Sequence, residues 1–150
     1  MDKNIPGVTF IQDDARSLKH LKDSSIESMS SLCAVEHFGL GRYEDEVNPE
    51  GCFKALHEMQ RVLKKGVALY LSVPIGKEHL EFNAHRIFYP QTIIETLSEM
   101  KLIQFSTTGM FGDCIRYNED IHKYDDQERT GGCLFGLLYD RSCIYRKNGT

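Results

Sequence analysis

Apolar residues recur at helical spacing most plainly in one stretch of the chain, where Phe53, Leu56, Met59, Val62 and Leu63 fall on one face. The spacing predicts a helix entered at Asn48-Pro49. Asn serves as the cap, and Pro takes the first helical position, where an N–H has no partner anyway. Lys64, Lys65 and Gly66 predict its end, because cations suit the negative end of the helix dipole and glycine adopts the left-handed cap. The run VALYLSVP (67–74) then predicts a buried strand stopped by Pro74.

The remaining pattern is shorter in wavelength. VTFIQ (8–12) predicts a strand that ends at the acidic turn Asp13-Asp14-Ala15. Leu18 and Leu21 are enough for one helical turn. SMSSLCAV (28–35) predicts a second strand, buried on both faces. Residues 75–89 read as a polar loop, and Pro90 opens another helix with Ile93, Ile94, Leu97 and Met100 turned inward. LIQFSTTG (102–109) predicts a strand. Residues 113–132 are charged and read as an irregular insertion. CLFGLLYDR and SCIYRK close the chain as one strand or a bent pair. This order predicts a single domain over 1–150 of the α/β class, with a mainly parallel sheet and an antiparallel C-terminal edge.

Composition narrows the function classes. A net charge of −4 weighs against a broad nucleic-acid footprint. No apolar run approaches the roughly 20 residues a membrane helix needs. The N-terminal stretch MDKNIPGVTFIQDD lacks a signal-peptide core, so a cytoplasmic protein is expected. The five cysteines are odd in number, widely spaced and without a CxxC, which predicts buried free thiols and no metal site.

In open α/β sheets ligands sit beyond the carboxyl ends of the strands. The first strand end carries Asp13, Asp14 and Ala15. The second carries Glu36, His37, Arg42 and Tyr43. The third leads to Lys77, Glu78, Asn83, His85 and Arg86. The second and third strands join through one helix, so they should be neighbours whose loops converge on one rim. A neutral His there can accept a proton near pH 7, and Arg42 or Arg86 can hold an anion. Plainer roles stand beside these. Asp14 can cap its turn, Glu36-His37 can be a strand terminus held by local hydrogen bonds, and either Arg can pair with Glu44 or Asp45. His20, His57, His79 and His122 show no partner pattern and read as surface residues. GLGRY (39–43) is a weak match to a phosphate loop, because acidic residues follow it instead of a helix N-terminus.

Taken together, FIQDDARSL, SSLCAVEH and LHEMQRVLKKGVALYLSVP resemble the third strand, the fourth strand and the next helix and strand of class I S-adenosylmethionine-dependent methyltransferases. The resemblance spans roughly residues 8–105. EHFGLGRY (36–43) and FNAHR (82–86) more closely resemble the hallmark segments of a methyltransferase-like family of unknown function found in nematodes and other lineages. The resemblance implies an incomplete Rossmann-like methyltransferase sheet and S-adenosylmethionine as cofactor. Asp14 and Ala15 would lie by the adenine, with Ser31 and Leu32 at the fourth-strand end. His37 and His85 would be the catalytic candidates, and Arg42, Tyr43, Asn83 and Arg86 would face a small-molecule or protein acceptor. With Gly7 alone ahead of VTFIQ, the glycine-rich cradle for the cofactor's methionine end is missing. The same residues therefore fit a methyltransferase carried in part and a non-catalytic relative that binds a partner. In the second case an exposed sheet edge would support self-association.

Overall fold

The computed structural model describes residues 5–41, 46–81, 84–108, 115–117, 120–126 and 136–140. The main sheet contains β1 (Met29–Leu32), β2 (Ala68–Ser72), β5 (Lys101–Thr108), β6 (Ile115–Tyr117) and β7 (Gly136–Asp140), in the order β1-β2-β7-β5-β6. A two-stranded sheet pairs β3 (His79–Leu80) with β4 (Arg86–Ile87). The helices are α1 (Gly51–Val62) and α2 (Pro90–Thr96).

β1 and β2 pair in parallel, from Met29 opposite Leu69 to Leu32 opposite Ser72. They are joined through α1, as a right-handed crossover unit requires. β7 runs antiparallel to both β2 and β5, so β1, β2 and β5 point the same way and β7 is reversed among them. The C-terminal strand is thus antiparallel, but it lies inside the sheet. Among the described residues, β6 takes the edge instead.

The predicted helix and strand form where the pattern places them. Leu56, Leu63, Leu69, Leu71, Ile93 and Leu97 are fully buried in one cluster, each worth about 1.5–3 kcal/mol relative to exposure. Asn48 Oδ1 accepts from the Glu50 N–H at 3.0 Å, so the helix starts two residues later than the sequence suggests, at Gly51. The helix stops earlier than Lys64-Lys65-Gly66 predicts, at Val62 with Leu63 already extended, and Gly66, at φ +81°, makes the left-handed turn into β2 instead. Pro90 sits in the first turn of α2.

Several expectations need correction. VTFIQ forms no strand: Val8, Phe10 and Ile11 are about three-fifths exposed, and no ladder among the described residues reaches them. A β-rich run without a neighbouring strand to bond has nothing to hold it extended. Residues 17–23 form turns, clasped to α1 by Arg61, whose guanidinium donates to the Leu18 and Leu21 carbonyls and to Asp23 and Glu58. β1 is buried on one face only, since Leu32 is 63% exposed. The supposed polar loop 75–89 contains β3 and β4 and sinks Ile75, Ile87 and Phe88 into the interior. The stretch 113–132 is likewise not wholly irregular. β6 pairs with β5, and a 3-10 turn over Ile121–Tyr124 buries Tyr124 against Phe105, with its hydroxyl 2.8 Å from that of Thr107. Of the cysteines, Cys52 is buried as expected and Cys33 is exposed; the other three lie outside the described residues. No helix among the described residues is long and apolar enough to cross a membrane.

Candidate functional site

The site begins where β1 stops. Cys33 takes φ +49°, a left-handed conformation that costs a non-glycine residue about 1–2 kcal/mol. Its N–H donates to the Ser72 carbonyl at 3.1 Å, and its Sγ lies 3.5 Å from Ser72 Oγ, so the bend is pinned to the end of β2. The chain then enters a 3-10 turn, Val35–His37. Val35 is fully buried and drags Glu36 inside with it, leaving that carboxylate 3% exposed.

The turn meets the segment leading into β4, as the adjacency of β1 and β2 requires. His37 Nδ1 lies 3.1 Å from the Ala84 carbonyl. A carbonyl only accepts, so Nδ1 carries the proton and Nε2 is the basic nitrogen of the neutral ring. That Nε2 is 3.9 Å from Glu36 Oε1. The His85 ring stands edge-on to His37, with centroids 6.0 Å apart and an interplanar angle of 82°. Its own Nε2 is 3.7 Å from Glu81 Oε2. Arg86 Nη1 donates to the Phe38 carbonyl at 2.5 Å and Nη2 to the Pro49 carbonyl at 3.3 Å, tying β4 to both ends of the intervening loop.

Gly39 explains why the glycines stand here. Its φ is +74°, and a Cβ on it would lie 2.0 Å from the Asn48 carbonyl oxygen. The Asn48 N–H donates back to the Gly39 carbonyl at 2.9 Å. Gly39 thus serves a close backbone approach.

Glu36 is the electrostatic anomaly of the site. Its Oε2 is buried and accepts no hydrogen bond among the described residues. Burial pushes its carboxyl above the usual range, while a backbone hydrogen bond and the nearby His37 pull the other way more weakly. Buried polar atoms are nearly always bonded, so this carboxyl oxygen is an exception within the interior.

The other sequence candidates divide. Asp14 fills the plainer role: its carboxylate takes a two-pronged bond from the Arg16 guanidinium and accepts from the Arg16 N–H, which holds its pKa down. Ala15 follows in the same turn. Ser31 faces the interior, and Leu32 faces outward. Arg42, Tyr43 and Asn83, like Glu44 and Asp45, lie outside the described residues. Sequence reasoning named Glu36 on the rim without giving it a role. Its signal was local: an acid directly after an apolar strand, in LCAVEHF, where the chain is about to be buried.

The family follows from the segment that builds this site. One family model covers residues 10–108, which takes in the Glu36–His37 turn, α1, β2 and Arg86. The chain belongs to the family described as "Caenorhabditis protein of unknown function, DUF268". No curated protein matches the sequence. Among solved structures, the DUF268 chain is similar to the [4+2]-cyclase SpnF, at 19% identity and a TM-score of 0.47 over 63% of this chain and 33% of that one. It is also similar to TTHA0409 of Thermus thermophilus, provisionally assigned as a DNA modification methylase, at 17% identity and a TM-score of 0.46 over 92% of this chain and 56% of that one. The chain therefore spans about a third and just over half of those two structures.

Proposed function

We propose that this DUF268 chain is a methyltransferase-like protein whose Glu36–His37 turn and Ala84–Ile87 segment form the acceptor side of a site. It holds a small acceptor and takes a proton from it. The observation that carries this reading is the orphaned Glu36 carboxylate beside a histidine of fixed tautomer. With Nδ1–H donated to Ala84, His37 receives the acceptor's proton on Nε2. Glu36, 3.9 Å away, stabilises the imidazolium that results. His85 flanks the ring, and Arg86 supplies positive charge. A cytoplasmic setting suits the exposed thiol of Cys33.

The described residues do not by themselves enclose S-adenosylmethionine, so the first reading has a further segment or a partner chain complete its cradle in the assay below. The carboxylate expected at the adenine, Asp14, is spent on Arg16, and Ser31 turns inward. The Asp14–Arg16 pair favours a second reading in which the chain is a non-catalytic binding module. In that case β1, whose second edge is unpaired among the described residues, would support self-association.

The two readings separate in a methyl-transfer assay with S-adenosylmethionine and a panel of hydroxyl-, amine- and carboxylate-bearing acceptors. The first expects turnover that His37→Gln lowers by about 100-fold or more, the usual worth of a general base. Absence of turnover in the wild type, or a His37→Gln variant at the wild-type rate, would contradict it.

A further inference from the structure

A cavity of about 410 Å³ is lined by residues from 39–40, from 47–53 and from 78–80 and 86–88. That volume is within the range of about 300–1,000 Å³ typical of small-molecule sites. Its walls include Leu40, Val47, Pro49, Phe53 and Leu80, with Arg86 as the cation among them. The apolar wall is open where Val47 and Leu80 are 73% and 59% exposed, so a ligand has an entrance.

Arg86 sets the chemistry. Its two described hydrogen bonds go to backbone carbonyls, which orient the guanidinium without neutralising it. Among the described residues it has no carboxylate within ion-pair distance, in a chain whose net charge is −4. A guanidinium has five N–H donors, so the bonds to the described residues use two of them. Among the described lining residues the one acid is Glu78, whose Oε2 is held by the Thr92 hydroxyl on α2 at 2.6 Å and which forms no ion pair with Arg86. His79 is likewise turned to its own backbone, with Nδ1 2.6 Å from the Lys77 carbonyl.

From this we infer that the cavity binds a small organic anion, an apolar body of aryl or alkyl type carrying a carboxylate that docks on Arg86. The cavity shares Arg86 and Ile87 with the proposed acceptor segment, but Glu36, His37 and His85 are not among its lining residues, so the inference goes beyond that reading and stands without it. Neither wall requires methyl transfer, so the cavity would hold the anion in a non-catalytic relative as well.

The test uses the intact chain and 3-phenylpropanoate, with neutral 3-phenylpropanamide as its partner, followed by amide chemical shifts. Because Arg86 also ties loops together, the variant is Leu80→Glu, which sets a like charge at the open wall without touching those bonds. The acid should bind with a millimolar or tighter dissociation constant, on the order of −4 kcal/mol. It should shift the Phe53, Leu80 and Arg86 signals. The amide should bind at least tenfold more weakly, and Leu80→Glu should weaken the acid by a similar factor. Equal binding of acid and amide, an unaffected Leu80→Glu, or no saturation by the acid at about 10 mM would overturn the inference. A chain that binds the acid and transfers no methyl group keeps this inference and loses the catalytic one.

Discussion

Gly39→Ala should cost roughly 2–5 kcal/mol of folding stability, a large share of the 5–15 kcal/mol typical of a domain. Two causes add. The residue sits at φ +74°, where any L side chain is strained. Its new Cβ would also lie 2.0 Å from the Asn48 carbonyl oxygen, a backbone atom that cannot swing aside. Relief requires the 39–48 approach to open, and the Phe38 and Pro49 carbonyls that flank it are the ones Arg86 grips. The variant should therefore lose ligand binding along with stability. Gly66→Ala is the control: it has φ +81° and nothing within 4 Å, so only the conformational strain of about 1–2 kcal/mol applies. Urea unfolding of both proteins measures the difference. Equal losses would show that the 39–48 contact is not what the glycine serves.

Replacing Glu36 should work in the opposite sense. Glu36→Met removes a buried carboxylate with an unbonded oxygen and fills the space with an apolar chain. At pH 7 it should stabilise the fold by about 1–3 kcal/mol. The pH dependence follows from the raised carboxyl of the native state. Between the ordinary value of 4.5 and the raised native value, the folded protein keeps a proton that the unfolded chain has lost. Stability contributed by the protonated form is full below 4.5 and falls as pH rises through that window. The gain in Glu36→Met should therefore be largest at neutral pH and shrink towards pH 4. The variant should also lose any proton-transfer function, the usual exchange between a strained site and stability. Thermal unfolding at the two pH values checks this. A variant less stable than wild type at both would mean that the carboxylate is satisfied in the native protein.

These two residues also mark what the sequence makes legible and what it hides. Local pattern shows α1, β2 and α2, because Leu56, Met59 and Val62 repeat at helical period and Pro90 is a start signal that acts within a turn, whereas the stop read at Lys64-Lys65-Gly66 comes after the helix has already ended at Val62. The neighbourhood of β1 and β2 follows from their single connecting helix, and with it the meeting of the Glu36 and Arg86 segments. What stays hidden depends on partners far along the chain. VTFIQ has strand composition but no strand to bond among the described residues. Ile75 and Phe88 sit at the two ends of a mostly polar stretch and are buried where they bridge each other across it, with the Phe88 ring edge-on to Phe53 of α1. Gly39 is visible as a glycine, yet its reason, the Asn48 carbonyl, is a tertiary fact. Glu36 looks like any solvated acid until Val35 and the turn carry it inside.

The meeting of those two segments is the foundation of the site, and the paired imidazoles report on it directly. In a nuclear Overhauser spectrum of protein labelled at the histidine rings, the His37 and His85 ring protons should show a cross-peak, since their centroids are 6.0 Å apart with the rings edge to face. The His37 Nδ1 proton should exchange slowly, held by the Ala84 carbonyl. Assigned rings without a cross-peak, with His85 in contact with its own hairpin alone and His37 Nδ1 exchanging freely, would contradict the account.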